Sequence, residues 1–273
     1  MPRFYPASPL WTGLVALVRM LSGKNFVFML NLISALCASI SVGLLYNLMR
    51  EGILVFIDEH SLTENMGRVV SVLSGSIAAL ALAFCIPFWI VANRAHTVAF
   101  DIMLLLMAAR LLLAYMDYGK LWIALLFSFL FGLGVVEFST CTVVAPLFGA
   151  WLLYVMWKRD VLRLTVVLYL VGSAIVGLSA YIFAAWGFYN TQGYELMKYD
   201  GFFDIIGHMW RSQYQTIAHG LPREGWLIIL FVSVVPWLSM LSVIRRSLND
   251  ERGWGLYFMH AVMTAIVIAV LLN

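Results

Sequence analysis

The chain has 273 residues, of which 63% are hydrophobic and only 11% charged, with a formal net charge of +3. A soluble domain carries about a quarter charged residues, so that class is excluded, and basic residues scattered over loops without a cluster exclude a nucleic-acid partner. What remains is an all-α, polytopic transmembrane bundle. Lipid demands that every backbone polar group be satisfied within the chain, and these apolar runs are too long and continuous for barrel strands.

Pro2, Pro6 and Pro9 exclude a long helix at the start. From Pro9 to Ser22 the pattern predicts a short helix lying in the interface. Leu10, Leu14, Leu17, Val18 and Leu21 share one face, and Trp11 sits at the headgroup boundary. Residues 1–26 thus form an outer re-entrant or interfacial segment, and Met1-Pro2-Arg3 does not open a signal peptide. About eight spans follow, near 27–49, 69–93, 98–116, 121–136, 140–157, 161–186, 226–244 and 254–272. The short joints at Asn93–Thr97 and Asp117–Lys120 require antiparallel neighbours. Cys37, Cys85 and Cys141 lie in apolar runs and read as small core residues without disulfides. No Cys/His spacing suggests a metal site.

Basic loops give the orientation. Lys158, Arg159 and Arg163 mark one joint and Arg245, Arg246 and Arg252 another, an even number of crossings away; Arg50, Arg68 and Lys120 fall on the same, cytoplasmic side. The N-terminus, the Arg94–Thr97 joint, Glu137 and the loop 187–225 are then extracytoplasmic. In that loop Phe202–Ala218 has helical periodicity. Phe202, Ile205, Ile206, Met209, Trp210 and Ile217 gather on one face, and Asp204, His208, Arg211 and Gln215 line the other. This is an amphipathic helix resting on the membrane, or a polar stripe that meets a lipid phosphate or sugar.

The run Leu121–Trp157 has a single charge, Glu137, near its middle. One helix of that length would reach about 55 Å, far beyond a bilayer core of about 30 Å. Two spans folded back on each other are expected, with the turn at Gly134–Thr140, Ser139 or Thr140 capping the second, and Glu137 at a membrane face. An ionisable group beside hydrocarbon is costly, so Glu137 is either a turn acid at the headgroups or a functional residue. In the third span Asp101 and Arg110 lie on opposite faces about 13 Å apart and do not pair. Arg110 is expected to snorkel to the cytoplasmic end, and Asp101 to be an interhelical hydrogen-bonder.

Three blocks carry a family resemblance: YPASPLW at Tyr5–Trp11 followed by NLISALCASISVGLLYNL at Asn31–Leu48, the stretch Ile77–Leu113, and FLFGLGVVEFSTCTVVAPLF at Phe129–Phe148. Over residues 5–157 they resemble the bacterial relatives of protein O-mannosyltransferases, membrane glycosyltransferases of the GT-C fold. The resemblance implies a sugar linked to a polyprenyl phosphate as donor, a protein or glycan hydroxyl as acceptor, and chemistry on the extracytoplasmic face of a bacterial inner membrane. It leaves a divalent cation open and indicates no other cofactor. The sequence departs from the family pattern at several landmarks. His96 stands where the family has Glu, Asp101 where it has Asn, Glu137 and Phe138 where Asn and His are usual, and Tyr5-Pro6 retains only part of an HPPGYPL segment. The family's acidic pair in the first outer loop does not appear before Tyr5. Two readings fit, a piece of a longer transferase or a divergent member, and the first is the expectation.

The candidate catalytic residues are Glu137 and His96, and the candidate substrate-binding residues Arg94, Asp101, Tyr5, Asp204, His208 and Arg211. Each has a plainer reading, as a turn acid, an interfacial hydrogen-bonder or a headgroup anchor. A non-catalytic membrane subunit that binds a lipid-linked sugar or a partner protein is the alternative function. A transporter ranks third, because no repeat and no midplane charge pair is present.

Overall fold

The computed structural model describes residues 8–58, 64–190 and 201–219, together with Leu227. Among these residues the structure is helical, without a strand. The chain divides into two compact units, Met1–Ile123 and Ala124–Asn273.

The first unit is built around one long helix. Helix α1 (Pro9–Ser22) ends at Gly23, whose φ of 50° suits a residue without a Cβ. A single 3₁₀ turn, Gly23–Asn25, leads into α2 (Phe26–Asp58). Then come α3 (Glu64–Ala83), α4 (Ile86–Ala92) and α5 (Thr97–Tyr118). Helix α2 packs against all four of the others. Three contacts fix its register with α5: the His96 N–H donates to Ser34 Oγ at 3.4 Å, Ser41 Oγ lies 3.5 Å from the Ala99 carbonyl, and Arg110 pairs with Glu51. Both sequence numbers rise together along the contact, so α2 and α5 run parallel. That is what an intervening antiparallel helix requires. Cys37 and Ala38 of α2, Phe88 and Ala92 of α4, and Ala99 of α5 form the core between them.

The short helix at Pro9–Ser22 has the expected bounds, but its buried side differs from expectation. Trp11 is buried and its ring lies 5.9 Å from that of Phe100 on α5, while Leu17 and Leu21 are exposed. Protein packing, rather than the headgroup boundary, takes the largest apolar side chain. The expected span 69–93 is two helices. Pro87 has no N–H to offer the Ala83 carbonyl and its ring crowds that carbonyl, so the helix stops at Ala83 and restarts at Ile86. Cys85 sits in this break and is exposed, not a core residue; Cys37 and Cys141 are buried, and all three are free thiols. Arg50 and Arg68 belong to helices α2 and α3, because both run past the expected ends of the spans.

The α5–α6 joint is closed by Gly119, in the left-handed region at φ 64°, whose N–H caps the Tyr115 carbonyl at 2.8 Å. The boundary between the units falls in the first turn of α6 (Leu121–Glu137). The second unit continues with α7 (Ser139–Lys158), α8 (Leu164–Leu178), α9 (Ala180–Tyr189) and α10 (Phe202–His219). The rings of Phe127 and Phe131 on α6 pack edge-on against Phe148 of α7, with centroids 6.2 and 5.6 Å away. Helices α6 and α8 approach to backbone contact. A Cβ on Gly177 would collide with the Phe129 carbonyl and lie 2.9 Å from the Leu133 nitrogen, and one on Gly132 would collide with the Ala174 carbonyl. Ser173 Oγ donates to the Leu125 carbonyl at 2.7 Å in the same crossing.

The span expected at 161–186 is an apolar run, Leu164–Tyr189, with an irregularity at Ser179. There the Ser179 hydroxyl donates to the Val176 carbonyl at 2.6 Å, and the Ile182 N–H reaches back three residues instead of four. Four described stretches are long and apolar enough to cross a membrane: Pro9–Leu54, Asn65–Ala83, Thr97–Tyr118 and Leu164–Tyr189. Leu121–Glu137 and the Leu147–Lys158 part of α7 are shorter apolar helical stretches. The spans expected at 226–244 and 254–272 lie outside the described residues.

The α6–α8 crossing sets a stability expectation. Gly177→Val places carbon against backbone atoms that cannot rotate away, which should cost about 1–3 kcal/mol as overpacking. Thermal unfolding in detergent should show a midpoint lowered by roughly 5 °C. Gly172→Val is the control, because nothing lies within 4 Å of that Cβ position; equal midpoints for the two variants would refute the close crossing.

Candidate functional site

The landmark residues of the first unit gather at the α4–α5 corner. Helix α4 ends with Asn93, whose side-chain amide donates to the Trp89 carbonyl at 3.0 Å, and Arg94 and His96 follow with exposed side chains. His96 has extended backbone angles, φ −136° and ψ 148°, and is the N-cap of α5. Its Nδ1 accepts the Val98 N–H at 3.2 Å, satisfying one of the orphan donors of the first turn. Its own N–H donates to Ser34 Oγ, and Ser34 is completely buried in α2. This cap leaves Nε2 as the ring atom free to face outward. Asp101 lies one turn into α5, half-buried. Tyr5 lies outside the described residues.

At the other end of the same helix pair, Arg110 does not snorkel alone. Its Nη1 lies 2.7 Å from Glu51 Oε2 of α2, both side chains about one-third exposed. The contact is electrostatic, without the alignment of a hydrogen bond. Arg110 pairs with Glu51 and not with Asp101, and Glu51 is a partner that the sequence analysis did not single out. The signal was available: Glu51 ends the first apolar run just after Arg50, and a parallel pairing of the first and third spans brings it level with Arg110.

In the second unit the α6–α7 turn is sharper than expected. Helix α6 runs on through Gly134 to Glu137, and only Phe138 breaks it, with φ −150° and ψ 143°. Phe138 occupies the N-cap position and makes no side-chain cap, so neither Ser139 nor Thr140 plays that part. Gly134 permits the tight return, because a Cβ there would lie 2.7 Å from Cys141 Sγ. Glu137 was expected at the headgroup level. Within the fold its side chain is fully buried, at 0% exposure.

The polar stripe Asp204, His208 and Arg211 is exposed along α10. The opposite face does not simply rest on a membrane. Ile205 and Met209 are buried, and α10 packs against α7 and α9. Phe202 meets Trp186 and Tyr189 edge-on, at 6.3 and 6.4 Å, and Trp210 meets Tyr181 at 6.0 Å. Among the described residues no three His, Cys, Asp or Glu side chains come together as a metal site.

Residues 5–163 match the family model described as the protein O-mannosyl-transferase TMEM260 N-terminal domain. The chain belongs to this family. No curated protein and no solved structure matches the chain. The family match takes in helices α1 to α7, and with them Arg94, His96, Asp101, Glu137 and the Glu51–Arg110 pair. It ends before α8, so Asp204, His208 and Arg211 lie beyond it.

Two substitutions test the local chemistry of this region. If His96 acts on stability as a helix cap, His96→Asn should keep the midpoint of unfolding and His96→Ala should cost about 1 kcal/mol; equal stability of the two removes the cap. For the ion pair, a double-mutant cycle of Glu51→Gln and Arg110→Met should return a coupling of about 1 kcal/mol in favour of the pair. Strict additivity would mean that the contact contributes nothing.

Proposed function

We propose that this chain is the membrane core of a GT-C-type glycosyltransferase. It moves a sugar from a polyprenyl-phosphate donor to the hydroxyl of a protein or glycan acceptor, on the extracytoplasmic face of a bacterial inner membrane. The carrying observation is that the O-mannosyltransferase match covers residues 5–163, more than half of the chain. Four helices long and apolar enough to cross a membrane support the same reading. In the reaction the acceptor oxygen bonds to the anomeric carbon, the bond from that carbon to the phosphate oxygen breaks, and the acceptor proton leaves to a base. A Ser or Thr hydroxyl is a weak nucleophile until a positioned carboxylate takes that proton. Glu137 is the carboxylate offered for that part. A buried charge is expensive unless it is held by partners, which argues against a casual acid at this turn.

The departing lipid phosphate needs cations or hydrogen-bond donors. Arg94 and Arg211 are exposed and each, taken by itself, is proposed for that need, as are the exposed side chains of His96 and His208. Because its Nδ1 accepts the Val98 N–H, the ring carries a proton on Nε2, and His96 is proposed to offer that N–H as a donor to substrate. Asp101, Asp204 and Tyr5 are proposed to contact the sugar or acceptor. The enclosure of Glu137 favours a second reading, a non-catalytic subunit that binds a lipid-linked sugar, because a base must reach its substrate.

Glu137→Gln keeps the shape of the side chain and removes the base. Sugar transfer from a polyprenyl-phosphate donor should fall by about 10²–10⁴-fold, the range for general base catalysis, with donor binding retained. Full transfer by the variant would take Glu137 out of the mechanism. Binding without transfer by the unmodified chain would favour the second reading.

A further inference from the structure

Helix α6 ends at Glu137, and a helix end leaves its last carbonyls without intrahelical donors. The Gly134 carbonyl receives the Phe138 N–H at 3.0 Å. The Val135 carbonyl, two residues before Glu137, receives a donor from another helix: the Tyr181 hydroxyl of α9, at 3.2 Å and buried. The Tyr181 ring is itself buried, and Trp210 of α10 meets it edge-to-face at 6.0 Å and 64°. One side chain therefore ties the end of α6 to α9 and α10. The aromatic body of Tyr181 needs only an apolar site; its hydroxyl sits on the one turn that carries the buried carboxylate.

We propose that Tyr181 is a positioning residue for Glu137: its hydrogen bond to the Val135 carbonyl fixes the last turn of α6, and the docking of α10 through Trp210 holds Tyr181 in place. This rests on the glycosyltransferase reading for its effect on chemistry, but the mechanical part stands apart from it. A phenylalanine would fill the same volume and leave the Val135 carbonyl without this donor. The turn would then loosen around Glu137 while the surfaces that meet donor and acceptor stay as they are. Cys141 reports on the same turn independently. It lies in the first turn of α7, is 1% exposed, and its Sγ rests against Gly134.

The test uses the full chain in membranes, with Cys37→Ala and Cys85→Ala so that Cys141 is the remaining thiol. Its rate of labelling by N-ethylmaleimide is followed by mass spectrometry, beside steady-state sugar transfer. Tyr181→Phe should speed labelling by about tenfold and lower kcat by about tenfold, with KM within about twofold, as expected for losing one buried hydrogen bond that acts on the chemical step. Trp210→Leu, at a half-exposed position, should change both quantities in the same direction by about threefold. Labelling at the parent rate in Tyr181→Phe would overturn the proposal. So would faster labelling with kcat unchanged, or a rise in KM alone. If the parent chain transfers no sugar, the glycosyltransferase reading fails, and the labelling rates still decide whether Tyr181 holds the turn.

Discussion

Every interruption of a helix in an apolar setting frees backbone carbonyls and N–H groups that neither lipid nor hydrocarbon side chains can satisfy. The architecture follows from how each interruption is closed. At Gly119 the chain turns into the left-handed region and caps itself through the Tyr115 carbonyl. At the α4–α5 corner a histidine ring supplies the acceptor for the first turn of α5. At the end of α6 a tyrosine from a distant helix supplies the donor. At Ser179 the side chain bonds back to its own helix, and the run continues. Two of these four closures use groups that can also do chemistry, and both lie near landmarks of the family. Helix ends and candidate residues therefore coincide for a physical reason: polar side chains are tolerated where backbone polarity already has to be met.

The layout of the helices was largely legible from sequence. Proline placement gives Pro9–Ser22, and the helices expected near 98–116 from hydropathy and at Phe202–Ala218 from an amphipathic period run Thr97–Tyr118 and Phe202–His219. The break at Pro87 was also written in the chain, but the surrounding apolar run masked it, because hydropathy averages over a residue whose effect is on backbone geometry. The side chains were harder. Which face of α1 is buried depends on Phe100, almost ninety residues away, and periodicity within one helix carries no record of that partner.

The candidate site is legible as a set of residue types and not as an arrangement. Glu137 was identifiable because it is the lone charge in a long apolar run. Its complete burial was not, because burial is set by the tertiary fold around the turn and not by the local sequence. Glu51 was overlooked because a carboxylate next to Arg50 reads as a loop residue, whereas α2 continues as a helix to Asp58 and presents it to Arg110. Tyr181 gave no signal at all: one tyrosine in an apolar run resembles any other until the carbonyl it serves is known.

The meeting of Gly132 with Gly177 bears on how the second unit is assembled during biosynthesis. Within hydrocarbon, two apolar helices gain nothing by hiding their surfaces from water, and their association relies on close packing and on polar bonds such as that of Ser173 to the Leu125 carbonyl. Glycine surfaces have no side-chain freedom to surrender on contact, so such a seam forms at low entropic cost. Helices α6 and α8 are thereby suited to form separately as the chain is made and to find each other afterwards, the seam closing late and at little cost in side-chain order.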